Sequence, residues 1–228
     1  MQRFFLFCNM NKNQIINQTI QFVKDTLQGA EGGHDWFHIE RVWKNAKLIA
    51  KNENADLFIV ELGALLHDIA DAKFYEGDES IGPKKADEFL KSLEVDEVII
   101  QHIVDIINHI SYKNSLESNS EKFHSKELDI IQDADRLDAI GAIGIARAFN
   151  YGGFKNRELY NPEIKTNLRL NKEAYKKSNA PTINHFYEKL LLLKDKMNTQ
   201  TGKQIATDRH QFMEQYLKQF YNEWDGKS

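Results

Sequence analysis

Four side chains in this 228-residue chain are of the types a borderline divalent cation prefers: His38, the adjacent pair His67-Asp68, and Asp135. Two imidazole nitrogens and two carboxylate oxygens can hold such a cation and leave positions open for water and a phosphate oxygen. A cation held this way lowers the pKa of the water it binds and polarises a phosphoryl oxygen, which is the chemistry of phosphate-bond hydrolysis. The His-Asp dipeptide alone is weak ground, because a helix-surface ion pair uses the same residues. The setting carries more weight. Each position has aliphatic neighbours, Ile39 and Val42, Leu65 and Leu66, Ile130 and Ile131, and each falls on a different predicted helix. A cation held there would sit in a packed pocket wall.

The elements that must position these residues are helical almost throughout. Ile16, Ile20, Val23 and Leu27 form one stripe, and Ile39, Val42, Trp43, Ala46, Ile49 and Ala50 another, at the spacing of a helix face. Gly29, Gly32 and Gly33 break the chain between them. Further helices are expected over Asp56 to about Ala70, Pro83 to Leu93, and Val95 to Ile110. Another runs from near Glu127 through Gly141 and Gly144 to Asn150, ending at Gly152-Gly153. Residues 113 to 126 are polar and aperiodic, a surface loop. Residues 154 to 180 read as loop with short helical pieces. Pro181 introduces Thr182 to Met197, and a last amphipathic helix covers about Thr201 to Trp224. No strand-like alternation of useful length and no internal repeat is visible. The fold class is all-α, a single-domain helical bundle over residues 11–228, with residues 1–10 a tail outside the core and Met10 an alternative start to Met1.

Composition excludes several classes. Thirty basic and 34 acidic side chains give a formal charge of −4, and 41% of residues are hydrophobic, which describes a globular chain long enough to bury its own core. The single cysteine, Cys8, rules out a disulfide framework or a zinc-finger cluster. The mildly acidic balance argues against a stable nucleic-acid partner. No segment approaches the roughly 20 apolar residues of a membrane helix, so a cytoplasmic location and no membrane partner are expected. There is no Gly-x-x-x-x-Gly-Lys-Ser/Thr run, which excludes a P-loop NTPase.

Three segments, His34-Asp-Trp-Phe-His38-Ile-Glu-Arg41-Val, Leu65-Leu-His67-Asp68-Ile-Ala-Asp71 and Asp133-Ala-Asp135-Arg-Leu-Asp138-Ala, resemble in order the His…His-Asp…Asp signature of HD-domain metal-dependent phosphohydrolases. The likeness extends through Gly141-Ala-Ile-Gly144-Ile-Ala-Arg147, Tyr151-Gly-Gly and Asn184-His-Phe-Tyr-Glu-Lys, and there it is similar to a compact bacterial branch with members like nucleoside-triphosphate pyrophosphohydrolases. The resemblance implies a metal cage of His38, His67, Asp68 and Asp135, with Asp135 preferred over the nearby acid Asp133. The cage would take one divalent ion, manganese or iron favoured, with magnesium, cobalt, nickel or zinc able to enter.

The same resemblance implies a carboxylate beside the attacking water. Asp71 is the candidate, on the face of His67 and Asp68 if that helix continues, although related enzymes usually carry the longer Glu. Arg41, one turn after His38, and Lys84, at a predicted helix start, are expected phosphate contacts, with His34 and His109 as further ones. His102, His124, His185 and His210 read as structural or exposed. The expected reaction cleaves a nucleoside or deoxynucleoside triphosphate to the monophosphate and pyrophosphate. A 5'-nucleotidase, a ppGpp or cyclic-nucleotide hydrolase, or a non-catalytic metal or nucleotide sensor would use the same cage. The expected partner is a small nucleotide, and the oligomeric state is left open.

Overall fold

The computed structural model describes residues 10–29, 33, 35–70, 78, 80–110, 123–168 and 179–227. Among these the chain is all-α, with nine α-helices and no strand. The helices are α1 (Lys12–Thr26), α2 (Trp36–Ala50), α3 (Leu57–Leu66), α4 (Ile81–Ser92), α5 (Glu97–His109), α6 (Lys126–Asp138), α7 (Gly141–Phe154), α8 (Thr182–Glu188) and α9 (Gln200–Trp224). No described helix is long and apolar enough to cross a membrane. The chain forms two compact units, residues 1–131 and 132–228, and the division falls inside the continuous helix α6.

In the first unit α3 is the central element. Nine of its ten residues are non-polar, Glu61 being the exception, and Phe58, Val60, Leu62, Gly63, Ala64, Leu65 and Leu66 are all buried, as so apolar a helix must be. Helices α1, α2 and α5 pack on it, and α4 packs on α5. Each fully buried Leu, Ile or Val there contributes roughly 1.5–3 kcal/mol. Asp56 caps α3 by accepting from Phe58 N at 2.8 Å, while its own N–H donates to Glu127 Oε1 of α6 at 2.9 Å. Further along, a Cβ on Gly63 would stand 2.5 Å from Ile131 Cδ1, so α3 and α6 approach more closely than any other residue at 63 allows. These two contacts, one at the helix starts and one further along both helices, set α3 and α6 side by side and running the same way.

The second unit is built on aromatic packing. Phe149 of α7, Phe186 of α8 and Tyr216 of α9 meet with ring centroids about 6 Å apart, the separation favourable for tilted and stacked rings. Gly152 lies so close to the Thr182 hydroxyl that a Cβ would collide with it, which ties the end of α7 to the start of α8.

Three sequence expectations change. The helix expected to continue from Glu127 through Gly141 is two helices: Ile140 is extended (φ −128, ψ 168) and Gly141 takes φ +74. The carbonyls left open at the end of α6 are taken by side chains, Arg147 donating to Asp138 O at 3.1 Å and Arg209 to Leu137 O at 2.5 Å. Gly144 then sits against the Ala139 carbonyl with no room for a Cβ, close packing within the turn itself. The helix expected to reach Ala70 stops at Leu66, and its last turn is modified by a side chain, as described next. Thr182 to Met197 is also subdivided, α8 being followed by two short 3-10 turns, Leu190–Leu192 and Lys194–Lys196. The loop expected at 113–126 lies mostly outside the described residues.

Candidate metal centre

His38 is on α2, three residues after the cap. The Asp35 carboxylate accepts from His38 N at 2.9 Å, which fixes the helix start and carries the imidazole, 3% exposed, to the buried side. His67 follows the last residue of α3. Its Nδ1 is 2.8 Å from Ala64 O, and a carbonyl can only accept, so Nδ1 bears the proton and the lone pair is on Nε2. That carbonyl would otherwise accept from residue 68 in a continuing helix. The imidazole competes for it, a physical reason for α3 to end where it does. The two rings are 5.5 Å apart at 63°.

Asp135 completes the group. It stands on α6 one turn beyond Ile131, as His67 stands one turn beyond Gly63, so the close approach of those two residues carries forward to the ligands. His38, His67 and Asp135 each offer one ligand atom, and the three atoms lie within 4.8 Å of one another. Two nitrogens and one oxygen, two of the side chains buried and the third half-buried, fit a divalent cation by donor type and by spacing.

Asp133 is the other acid of the same motif, and its surroundings differ. It is 0% exposed and accepts from Asn198 N at 2.8 Å, Thr199 N at 2.8 Å and the Thr199 hydroxyl at 2.8 Å, with Arg136 at 3.2 Å. Burial pushes its carboxyl pKa upward, and the donors from Asn198, Thr199 and Arg136 oppose that. Gly202 leaves no room for a Cβ beside the same carboxylate. Asp133 therefore anchors the turn that starts α9.

The remaining expected site residues are placed as follows. Asp68 is half-buried in the turn beside His67 and is not one of the three clustered ligands. Arg41 is half-buried on α2 one turn after His38. Lys84 is in the first turn of α4 but exposed, with its ammonium 4.0 Å from Glu88. His109 ends α5 with Nδ1 2.7 Å from Asp105 O and its ring 5.4 Å from Phe123, so its own helix holds it. His34 and Asp71 lie outside the described residues. Sequence reading missed Gly63, whose signal was a lone glycine inside an apolar helical run. It also missed the anchoring role of Asp133, whose partners Asn198 and Thr199 lie more than sixty positions away.

The HD domain family model matches residues 36–140, a span that begins just before His38 and ends just after Asp138. The uncharacterized protein YpgQ of Bacillus subtilis is 38% identical over 205 residues, covering 90% of this chain and 91% of that protein. An HD-superfamily hydrolase from Bacillus thuringiensis of known crystal structure is 43% identical with a TM-score of 0.76, over 95% of this chain and 100% of that one. The crystal structure of Bacillus subtilis YpgQ in complex with ADP superposes with a TM-score of 0.74 at 35% identity, covering 94% of this chain and 97% of that one.

Proposed function

The chain belongs to the HD-domain superfamily of metal-dependent phosphohydrolases, and within it we propose that this protein cleaves a nucleoside or deoxynucleoside triphosphate between the α and β phosphates. The observation that carries this reading is the convergence of His38, His67 and Asp135. The relative YpgQ was crystallised with ADP, a nucleotide with an α–β anhydride, and this supports a nucleotide as the substrate class.

In this reading His38, His67 and Asp135 hold the cation, with Asp68 as the fourth ligand. When bound, the cation supplies an acidified water and a positive charge beside the phosphoryl oxygen. His67 is held to one tautomer by Ala64 O, which leaves the lone pair on Nε2 and fixes the ring without further reorganisation. Asp71 takes the proton of the attacking water. The water oxygen bonds to the α-phosphorus, the bond from that phosphorus to the bridging oxygen breaks, and pyrophosphate leaves. Arg41, with Lys84, His34 and His109, neutralises phosphate charge. Manganese or iron is the proposed ion and the cytoplasm the proposed setting.

Incubation with each dNTP and manganese, followed by phosphorus NMR, is expected to show pyrophosphate and the monophosphate. Tripolyphosphate from dNTPs, or orthophosphate from monophosphates, overturns the assigned bond.

A further inference from the structure

The second unit contains a cavity that the metal centre does not use. It has a volume of about 390 Å³ and is lined by the segment from Tyr160 to Leu168 together with residues of α8 and α9. That is within the range of small-molecule pockets, toward its small end. Three phenols form one wall: Tyr160, Tyr187 of α8 and Tyr221 of α9. The rings are held by one another and by Trp224, with Tyr160 edge-on to Tyr221 at 5.3 Å and to Trp224 at 5.0 Å, and Tyr187 and Tyr221 share a hydrogen bond. A wall locked by its own neighbours loses little freedom when a flat ligand lies against it.

The polar groups have distinct assignments. Asn184 lines the cavity yet is 2% exposed, and its Nδ2 donates to Ile164 O at 3.2 Å, so the amide plane is fixed. A buried, oriented amide can match the donor and acceptor edge of a heterocycle. The other lining amide is engaged at both polar atoms: Asn161 Nδ2 donates to Glu158 at 3.0 Å and its Oδ1 accepts from Glu163 N at 3.0 Å. Lys165 and Thr166 stand at the same opening, and none of the lining residues is an Asp or Glu. One ammonium and no carboxylate favour a ligand with a single anionic group over the several charges of a triphosphate.

We propose that this cavity is a second ligand site, taking a nucleoside monophosphate with its ring against the tyrosines, its edge at Asn184 and its phosphate at Lys165. The inference is independent of whether the metal centre hydrolyses anything. The test uses the full chain in the presence of EDTA, titrated with AMP, adenosine and inorganic phosphate and followed by protein NMR. AMP is expected to bind saturably and more tightly than adenosine, while phosphate alone competes weakly. Two substitutions of exposed residues probe the contacts. Lys165→Glu is expected to weaken AMP by about tenfold and leave adenosine unchanged, and Leu168→Trp, at the rim, to block both. Absence of saturable AMP binding up to millimolar concentration overturns the proposal, as does AMP binding indifferent to both substitutions. A His67→Ala protein should bind AMP in EDTA as the parent does; loss of binding there would locate AMP at the metal centre instead and defeat the second site.

Discussion

The two units treat charge and buried polarity in opposite ways. Residues 1–131 hold 14 basic and 22 acidic side chains, a formal −8, whereas residues 132–228 hold 16 and 12, a formal +4, so the whole-chain value of −4 conceals two differently charged parts. The first unit buries histidines among aliphatic residues. One of them, His67, has a single ring nitrogen committed to its own backbone and the other directed to the ligand cluster. The second unit buries carboxylates and surrounds them: Asp133 by Asn198, Thr199 and Arg136, and Asp138 by Arg147 at 2.6 Å. A buried polar group completed by its own chain is part of the scaffold. Nitrogen and oxygen donors gathered in one fitted cluster mark where a ligand belongs.

Removing a ligand should have the largest effect. His67→Ala takes away the oriented nitrogen, and the several kcal/mol of transition-state stabilisation a cation provides corresponds to about a thousandfold in kcat/KM. Metal content measured on protein purified without chelator should fall in parallel. Unchanged metal content with full activity would remove His67 from the metal centre.

The sharpest form of the comparison lies on α6 itself. Asp135→Asn, at a proposed ligand, is expected to lower activity by at least about a hundredfold with a smaller change in Tm than the same substitution at Asp133, because the amide keeps the side chain's size. Asp133→Asn is expected to do the reverse. It sets an amide N–H against the donors of Asn198 and Thr199 and removes the charge that Arg136 faces, a loss of about 3 kcal/mol in urea unfolding. If the Asp133 variant kept its stability and lost its metal, the two roles would have to be exchanged.

That pair also shows how far the sequence could be read. The helices over 12–26, 36–50 and 97–109 follow from apolar spacing, because each has one buried stripe and a charged face. The end of α3 at Leu66 and the break at Ile140-Gly141 do not. Both depend on side chains taking carbonyls: His67 that of Ala64 and, from a distant helix, Arg209 that of Leu137. His38, His67 and Asp135 were legible as types of ligand, but their meeting depends on how closely α3 and α6 approach. That distance is set by Gly63 against Ile131, a tertiary contact no periodicity encodes. Asp133 and Asp135 are chemically identical, and it is tertiary surroundings that tell them apart: residues 198 and 199, more than sixty positions away, around Asp133 and the two histidines around Asp135.

Acid stability separates the units next. Burial, then the nearby charges of Lys189 and Arg157, holds the His185 imidazole down to a pKa of about 4, against 6.5 as its ordinary value. The folded state therefore binds fewer protons than the unfolded state between those limits, so stability rises with pH across the window and is lost as pH falls from 6.5 toward 4. From pH 7 to pH 5 this group alone should remove about 2 kcal/mol. His185→Gln should reduce the difference between urea midpoints at the two pH values. Equal slopes in parent and variant would show that His185 is not buried as a neutral ring.

The smallest expected effect tests the charge half of the comparison. Lys47 in the first unit reaches Glu61 at 3.1 Å and lies 4.5 Å from the centre of the Trp43 ring, whose Nε1 donates to the same carboxylate at 3.1 Å. The arrangement has the components of an ion pair and a cation–π contact, yet the Lys47 side chain is 41% exposed and water screens both. Lys47→Met keeps the aliphatic stem over the ring and discards only the charge. It should therefore change stability by less than about 1 kcal/mol, a Tm shift of roughly 2–4 °C at most, and the difference should shrink in high salt. A larger, salt-insensitive loss would mean that the acidic unit depends on its surface charges as strongly as the basic unit depends on the donors around Asp133.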